Sequence, residues 1–163
     1  MEEIISNILE FLTIELTVLL TAALPVIELR GAIPVGISLG LSPLHATIIS
    51  LIGSMIPVPF ILFTIRPIFN YLKDTRLFRK LVNKLTDRSL NNNGDRMQKY
   101  GVWGLVLIVA IPLPGTGVWS GSLAAALLDM RFKWAFPAIL VGNIIAAIII
   151  MTVSDGVIGV FRG

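Results

Sequence analysis

Pro25-Val26-Ile27-Glu28-Leu29-Arg30-Gly31-Ala32-Ile33-Pro34 decides how the chain is read, because it sets a carboxylate and a guanidinium inside a run that is otherwise apolar from Phe11 to Ile65. Apart from Glu15 and His45, no other side chain in that run is an acid or a base. A charge at bilayer depth costs about 2.5–3.5 kcal/mol on insertion scales, so an intramembrane Glu or Arg faces protein or water and marks a functional position. Residues i and i+2 point to nearly opposite sides of a helix but share a face in extended chain. Pro25 and Pro34 bracket the pair and Gly31 lies between them, and a residue before proline is pushed away from helical conformation. The expectation is a first helix that breaks near Leu24, runs non-helically past both charges and resumes near Pro34. Such backbone survives at membrane depth only when buried in protein or lining a cavity. The stretch is therefore expected to be the tip of a re-entrant hairpin.

Composition agrees with a bilayer as solvent. Hydrophobic residues make up 55% of the chain and charged ones 14%, with a mean hydropathy of +0.87, which sets an integral membrane protein above a soluble domain. There is no cysteine, so disulfides and thiolate metal sites drop out. No metal, cofactor or nucleic acid is expected. Met1-Glu2-Glu3 lacks the basic region of a secretory signal, so these residues are expected in the mature protein.

Read in order, the chain is expected to be a single membrane domain with repeat 1 at about 1–65, a linker at 66–100 and repeat 2 at about 101–163. The first helical segment, about Ile4 to Ala23, carries Glu10 and Glu15; after the break, Ala32, Gly36 and Gly40 recur every fourth position, a spacing that lets another backbone approach. From Phe11 to Leu41 the chain is too short for two full spans of about 20 residues and a turn, but two half-depth arms fit. Ala46 to Ile65 is an uncharged run of spanning length, kinked by Pro57 and Pro59. The linker holds most of the lysines and arginines, and within it Leu77, Phe78, Leu81, Val82 and Leu85 oppose Arg76, Arg79, Lys80, Lys84 and Arg88. That pattern is a basic amphipathic helix suited to an anionic inner leaflet.

The order of features then repeats. Val102 to Ile111 is apolar, Pro112-Leu113-Pro114-Gly115-Thr116-Gly117 breaks it, Gly117, Gly121 and Ala125 recur every fourth position, and Trp134 to Val153 is a second uncharged crossing. Gly142-Asn143 stands in that crossing much as Gly53-Ser54 stands in the first. If each hairpin returns to its own face, the one crossing between them sends the two in from opposite faces, which is an inverted repeat. The positive-inside rule puts the linker in the cytoplasm and both termini outside the cytoplasmic membrane. The expected fold is thus an all-α integral membrane protein, an inverted repeat of hairpin plus transmembrane helix joined by a basic cytoplasmic amphipathic helix. A plain four-helix chain is the competing reading.

Two opposed tips at mid-depth are where secondary transporters bind substrate. Helix starts expected near Pro34 and near Thr116 or Gly117 offer unpaired amides and partial positive charge, and Arg30 adds a bidentate fork suited to phosphate or carboxylate. Glu28 can neutralise Arg30, take up a proton for coupling, or pin the hairpin as half of a structural pair. Gly31, Thr116, Gly117 and Ser120 complete the candidate binding set, with Pro25, Pro34, Pro112, Pro114 and Gly115 shaping the tips. Trp119 is expected mainly to pack, Asn143 to bond between helices, Asp155 to sit at the interface, and His45 to be solvated near Pro43.

The two tip motifs, Pro25 to Pro34 and Ala110-Ile111-Pro112-Leu113-Pro114-Gly115-Thr116-Gly117-Val118-Trp119, together with Gly53-Ser54 and Gly142-Asn143, resemble those of the family known as putative small multidrug export proteins, related to the DedA or VTT membrane proteins. The resemblance implies paired re-entrant hairpins and, in the wider superfamily, lipid movement, including recycling of polyprenyl-phosphate carriers. It points to Glu28 and Arg30 in the first tip and to Pro112, Pro114, Gly115, Thr116 and Gly117 in the second. DedA proteins carry an arginine near the second tip, whereas this chain is uncharged from Val102 to Leu128.

The expected function is a membrane transporter or flippase, ion-coupled through protons or another ion, that moves an anionic amphiphile of the lipid-linked phosphate type. The alternative in the same class is a small multidrug exporter of cations using Glu28. A non-transporting scaffold and an intramembrane enzyme are further alternatives, the latter without any His-Glu-x-x-His or acidic metal cluster to support it. The small-residue stripes suit a homodimer as well as contacts within one chain.

Overall fold

A computed structural model describes residues 2–73, 94–113 and 116–162. Seven α-helices and no strand occur among them: α1 Glu2–Ala23, α2 Glu28–Ser38, α3 Pro43–Met55, α4 Pro57–Lys73, α5 Gly94–Ala110, α6 Val118–Leu127 and α7 Phe132–Arg162. The amphipathic segment expected around Leu77 to Arg88, and the tip residues Pro114 and Gly115, lie outside the described residues.

Among the described residues, two stretches are long and apolar enough to cross a membrane, Pro43–Ile65 and Phe132–Val157. The first is interrupted at Ile56, where Pro57 opens α4 and cannot donate a backbone bond; the second has only Pro137, near its start, and runs on unbroken. Large apolar side chains such as Phe60, Phe63, Leu107 and Ile148 stand exposed on the exterior, a surface matched to hydrocarbon rather than water.

The first break is shorter than the proline positions suggest. Only Leu24–Ile27 separate α1 from α2, and α2 begins at Glu28 rather than at Pro34. Pro34 therefore lies within a helix, not at a tip, and its missing N–H leaves the Arg30 carbonyl without its usual i+4 donor. The i, i+2 argument failed because it assumes regular backbone on both residues. Glu28 has φ +51°, in the left-handed region, which costs an L-residue about 1–2 kcal/mol and turns its side chain away from the regular helical direction.

Several buried and capping positions recur at one fixed spacing along the chain. Leu29, Leu41 and Ala46 belong to one buried cluster with Ala147; Val118, Met130 and Ala135 belong to the other with Val58. The members of each pair, 29 with 118, 41 with 130, 46 with 135 and 58 with 147, stand 89 residues apart, and so do Ser54 and Asn143, which bond to each other. Helices α2 and α6 end alike: Leu41 N–H donates to the Gly36 carbonyl and Gly40 N–H to Ile37, while Met130 donates to Ala125 and Asp129 to Ala126. These are two Schellman caps, with Gly40 at φ +99° and Asp129 at φ +51° supplying the left-handed residue. Each half also lends a helix to the other's core, since α4 packs on α6 and α2 on α7.

Glycine permits the closest approaches. A Cβ on Gly53 would collide with the Leu19 carbonyl of α1, and one on Gly142 would lie 2.7 Å from the Val106 carbonyl of α5. Beside them, Asn143 Nδ2 donates to Ser54 Oγ at 2.8 Å, both side chains being buried. Asn143 thus bonds between helices at the crossing of α3 and α7.

Candidate functional site

Four helices end at the two breaks, and each end leaves backbone groups without a partner in its own helix. Each break supplies what the other lacks. The Glu28 carboxylate accepts the Trp119 N–H (Oε1, 3.2 Å) and lies beside the Val118 N–H at the start of α6, where the helix dipole favours negative charge. The Arg30 guanidinium reaches past the end of α5, donating through Nη1 to the Leu113 carbonyl and through Nη2 to the Ile111 carbonyl (3.3 Å) and Thr116 Oγ1 (3.0 Å). The Trp119 indole N–H donates to the carbonyl of Ala23, the last residue of α1, at 3.2 Å.

The charged residues are therefore not a mutual pair. Among the described residues no ion pair joins Glu28 to Arg30; each instead holds the opposite break. Thr116 Oγ1 braces the second break by donating to the Ile111 (2.7 Å) or Leu113 (2.8 Å) carbonyl. Gly117, at φ +130°, is required twice over: its backbone favours glycine, and any Cβ there would collide with the Glu28 carboxylate. Glu28 is 5% exposed, whereas Arg30 is half-buried.

A cavity of about 720 Å³ opens beside this junction, lined by Pro25, Val26, Ile27, Glu28, Arg30, Gly31, Pro112, Thr116, Trp119, Ser120 and Leu123. Its wall is mostly apolar, with two opposite charges at one side, a form suited to an amphiphile with a polar head. Of the residues singled out from sequence, Glu28, Arg30, Gly31, Thr116, Trp119, Ser120, Pro25 and Pro112 meet at this cavity, and Gly117 adjoins it through Glu28. Pro34, Asn143 and Asp155 do not line it. Leu123, one turn beyond Trp119 on α6, was missed because an apolar residue in an apolar helix carries no signal.

His45 keeps 41% of its side chain exposed and also has a partner. Its Nε2 lies 2.6 Å from Glu15 Oε1, with Phe11 edge-on at 5.8 Å between centroids, so α1 and α3 are tied by a polar pair apart from the cavity.

A family model described as "Putative small multi-drug export protein" matches residues 28–149, well over half of the chain. No curated protein matches, and neither does any solved structure. The match begins at Glu28 and includes every described residue of the second break.

Proposed function

The chain belongs to the putative small multi-drug export protein family, and from that premise we propose that it is a membrane transporter whose substrate sits in the cavity between the two breaks. In this reading α1 with α2, and α5 with α6, are re-entrant hairpins that enter from opposite faces as an inverted repeat, with α3–α4 and α7 as the crossings. The equal spacing of matched core, cap and glycine positions supports it. The linker at 66–100 lies in the cytoplasm and both termini outside. A wider kinship with DedA proteins, suggested by the tip motifs, belongs to the same proposal.

The observation that carries the proposal is the reciprocal holding of the two breaks by Glu28, Arg30 and Trp119 around one cavity. Releasing these bonds would separate the hairpins and expose the cavity to one side, which is the requirement of alternating access. The substrate is an anionic amphiphile. Arg30 is the more accessible charge and its partners are neutral oxygens, so an entering phosphate or carboxylate offers it a stronger, charge-assisted bond. Glu28 carries the coupling proton. No reaction is assigned to the chain.

The family's description speaks of drug export, and a second reading in that class is export of a cation held by Glu28. Purified protein in liposomes separates the two: a fluorescent phosphorylated lipid should be moved and a quaternary amine should not, and Arg30→Ala should abolish movement while the protein remains folded in detergent. Full activity of Arg30→Ala, or selective movement of the amine, overturns the anionic reading.

A further inference from the structure

We propose that the Glu28 carboxylate is a built-in stand-in for the substrate's anionic group, so that substrate binds by displacing it. The proposal rests on the transporter reading above and adds the identity of the site: the donors now held by Glu28, flanked by Arg30, take a phosphate or carboxylate head, and the apolar cavity wall takes the chain attached to it.

Three observations converge. Glu28 comes from the first break yet its carboxylate sits on the second, on the Trp119 amide and beside that of Val118, so an acid is already bound where an anion would bind. The seat opens onto the cavity, since Glu28, Trp119, Ser120 and Arg30 all line it. Room for the carboxylate exists only because residue 117 is glycine. The occupant is also poised to leave: Glu28 holds a left-handed backbone, a conformation that the surroundings must enforce.

Displacement couples binding to protonation. A charged Glu28 keeps its seat and repels a second anion; a neutral one loses its attraction to the helix start and yields. Arg30 on α2 is the ionisable group that acts on Glu28, and α6 and the described part of the second break present none. The arriving proton and the arriving anion then enter together, with no net change of charge for a monoanion.

The test uses the full chain in neutral detergent, with dodecyl phosphate as probe, dodecyltrimethylammonium as control and thermal stabilisation as readout. Dodecyl phosphate should bind Glu28→Gln about tenfold more tightly than the natural protein, and its affinity should depend less on pH in that variant. Glu28→Asp, whose shorter arm withdraws the carboxylate from the amides, should fall between and guards against a folding defect in the first variant. If the natural protein binds dodecyl phosphate through Arg30 but neither variant binds it more tightly, displacement is wrong and the transporter reading stands. If no form binds either amphiphile, both fall.

Discussion

Replacing Gly142 by alanine puts the close packing of α7 on α5 to a quantitative test. The new Cβ would lie 2.7 Å from the Val106 carbonyl oxygen and 2.8 Å from Val109 Cβ, against ordinary heavy-atom contacts of about 3.5–4.0 Å. Neither obstacle is the free end of a side chain, so α5 and α7 must separate. Overpacking of this kind costs about 1–3 kcal/mol, and the backbone obstacle places it near the top of that range. Alanine returns about 0.8–1.0 kcal/mol in helix propensity, leaving a loss of about 1–2 kcal/mol. Gly104→Ala on α5 meets nothing within 4 Å, and so keeps a propensity gain of up to about 1 kcal/mol. Denaturant titration of the purified protein in mixed micelles, followed by circular dichroism, should rank Gly104→Ala above the natural protein and Gly142→Ala below it. Gly53→Ala should fall on the same side as Gly142→Ala, because its Cβ collides with the Leu19 carbonyl. Equal stability of Gly142→Ala and Gly104→Ala would refute the close approach.

Trp119→Phe removes the indole bond to the Ala23 carbonyl and keeps most of the ring; it should lower stability by about 1 kcal/mol and weaken the hold between the breaks, read as faster protease cleavage near Leu24. Since the chain has no cysteine, Asn7→Cys and Arg88→Cys can serve as single labels in intact cells. An impermeant thiol reagent should reach the first from outside and the second only after lysis; the opposite pattern would invert the topology.

Much of the arrangement could be read from the residues. Proline marks both breaks, joined by glycine at the second, because these residues alter backbone geometry whatever surrounds them; Gly53 lies where α3 meets α1, and Gly142 where α7 meets α5. Contacts made at a distance along the chain were not legible. Nothing local to Glu28 and Arg30 says that they bind the second break rather than each other. Pro34 misled because a proline marks a helix boundary only when the helix has not already begun, and α2 starts six residues earlier. Trp119 was read as packing, since a tryptophan's ring dominates until a partner for its N–H is known.

Ser54 and Asn143 stand 89 residues apart and touch each other; in the inverted repeat proposed above they straddle the line about which one half maps onto the other. An ancestor built from two identical subunits would set a residue there against its own copy, serine on serine or amide on amide. Joining both units in a single polypeptide lifts that restriction: one side can specialise in giving a proton and the other in receiving it. The same freedom lets an acid at 28 face a glycine at 117, and a transporter with unlike halves need not present the same energy barrier to its cargo from the two sides of the bilayer.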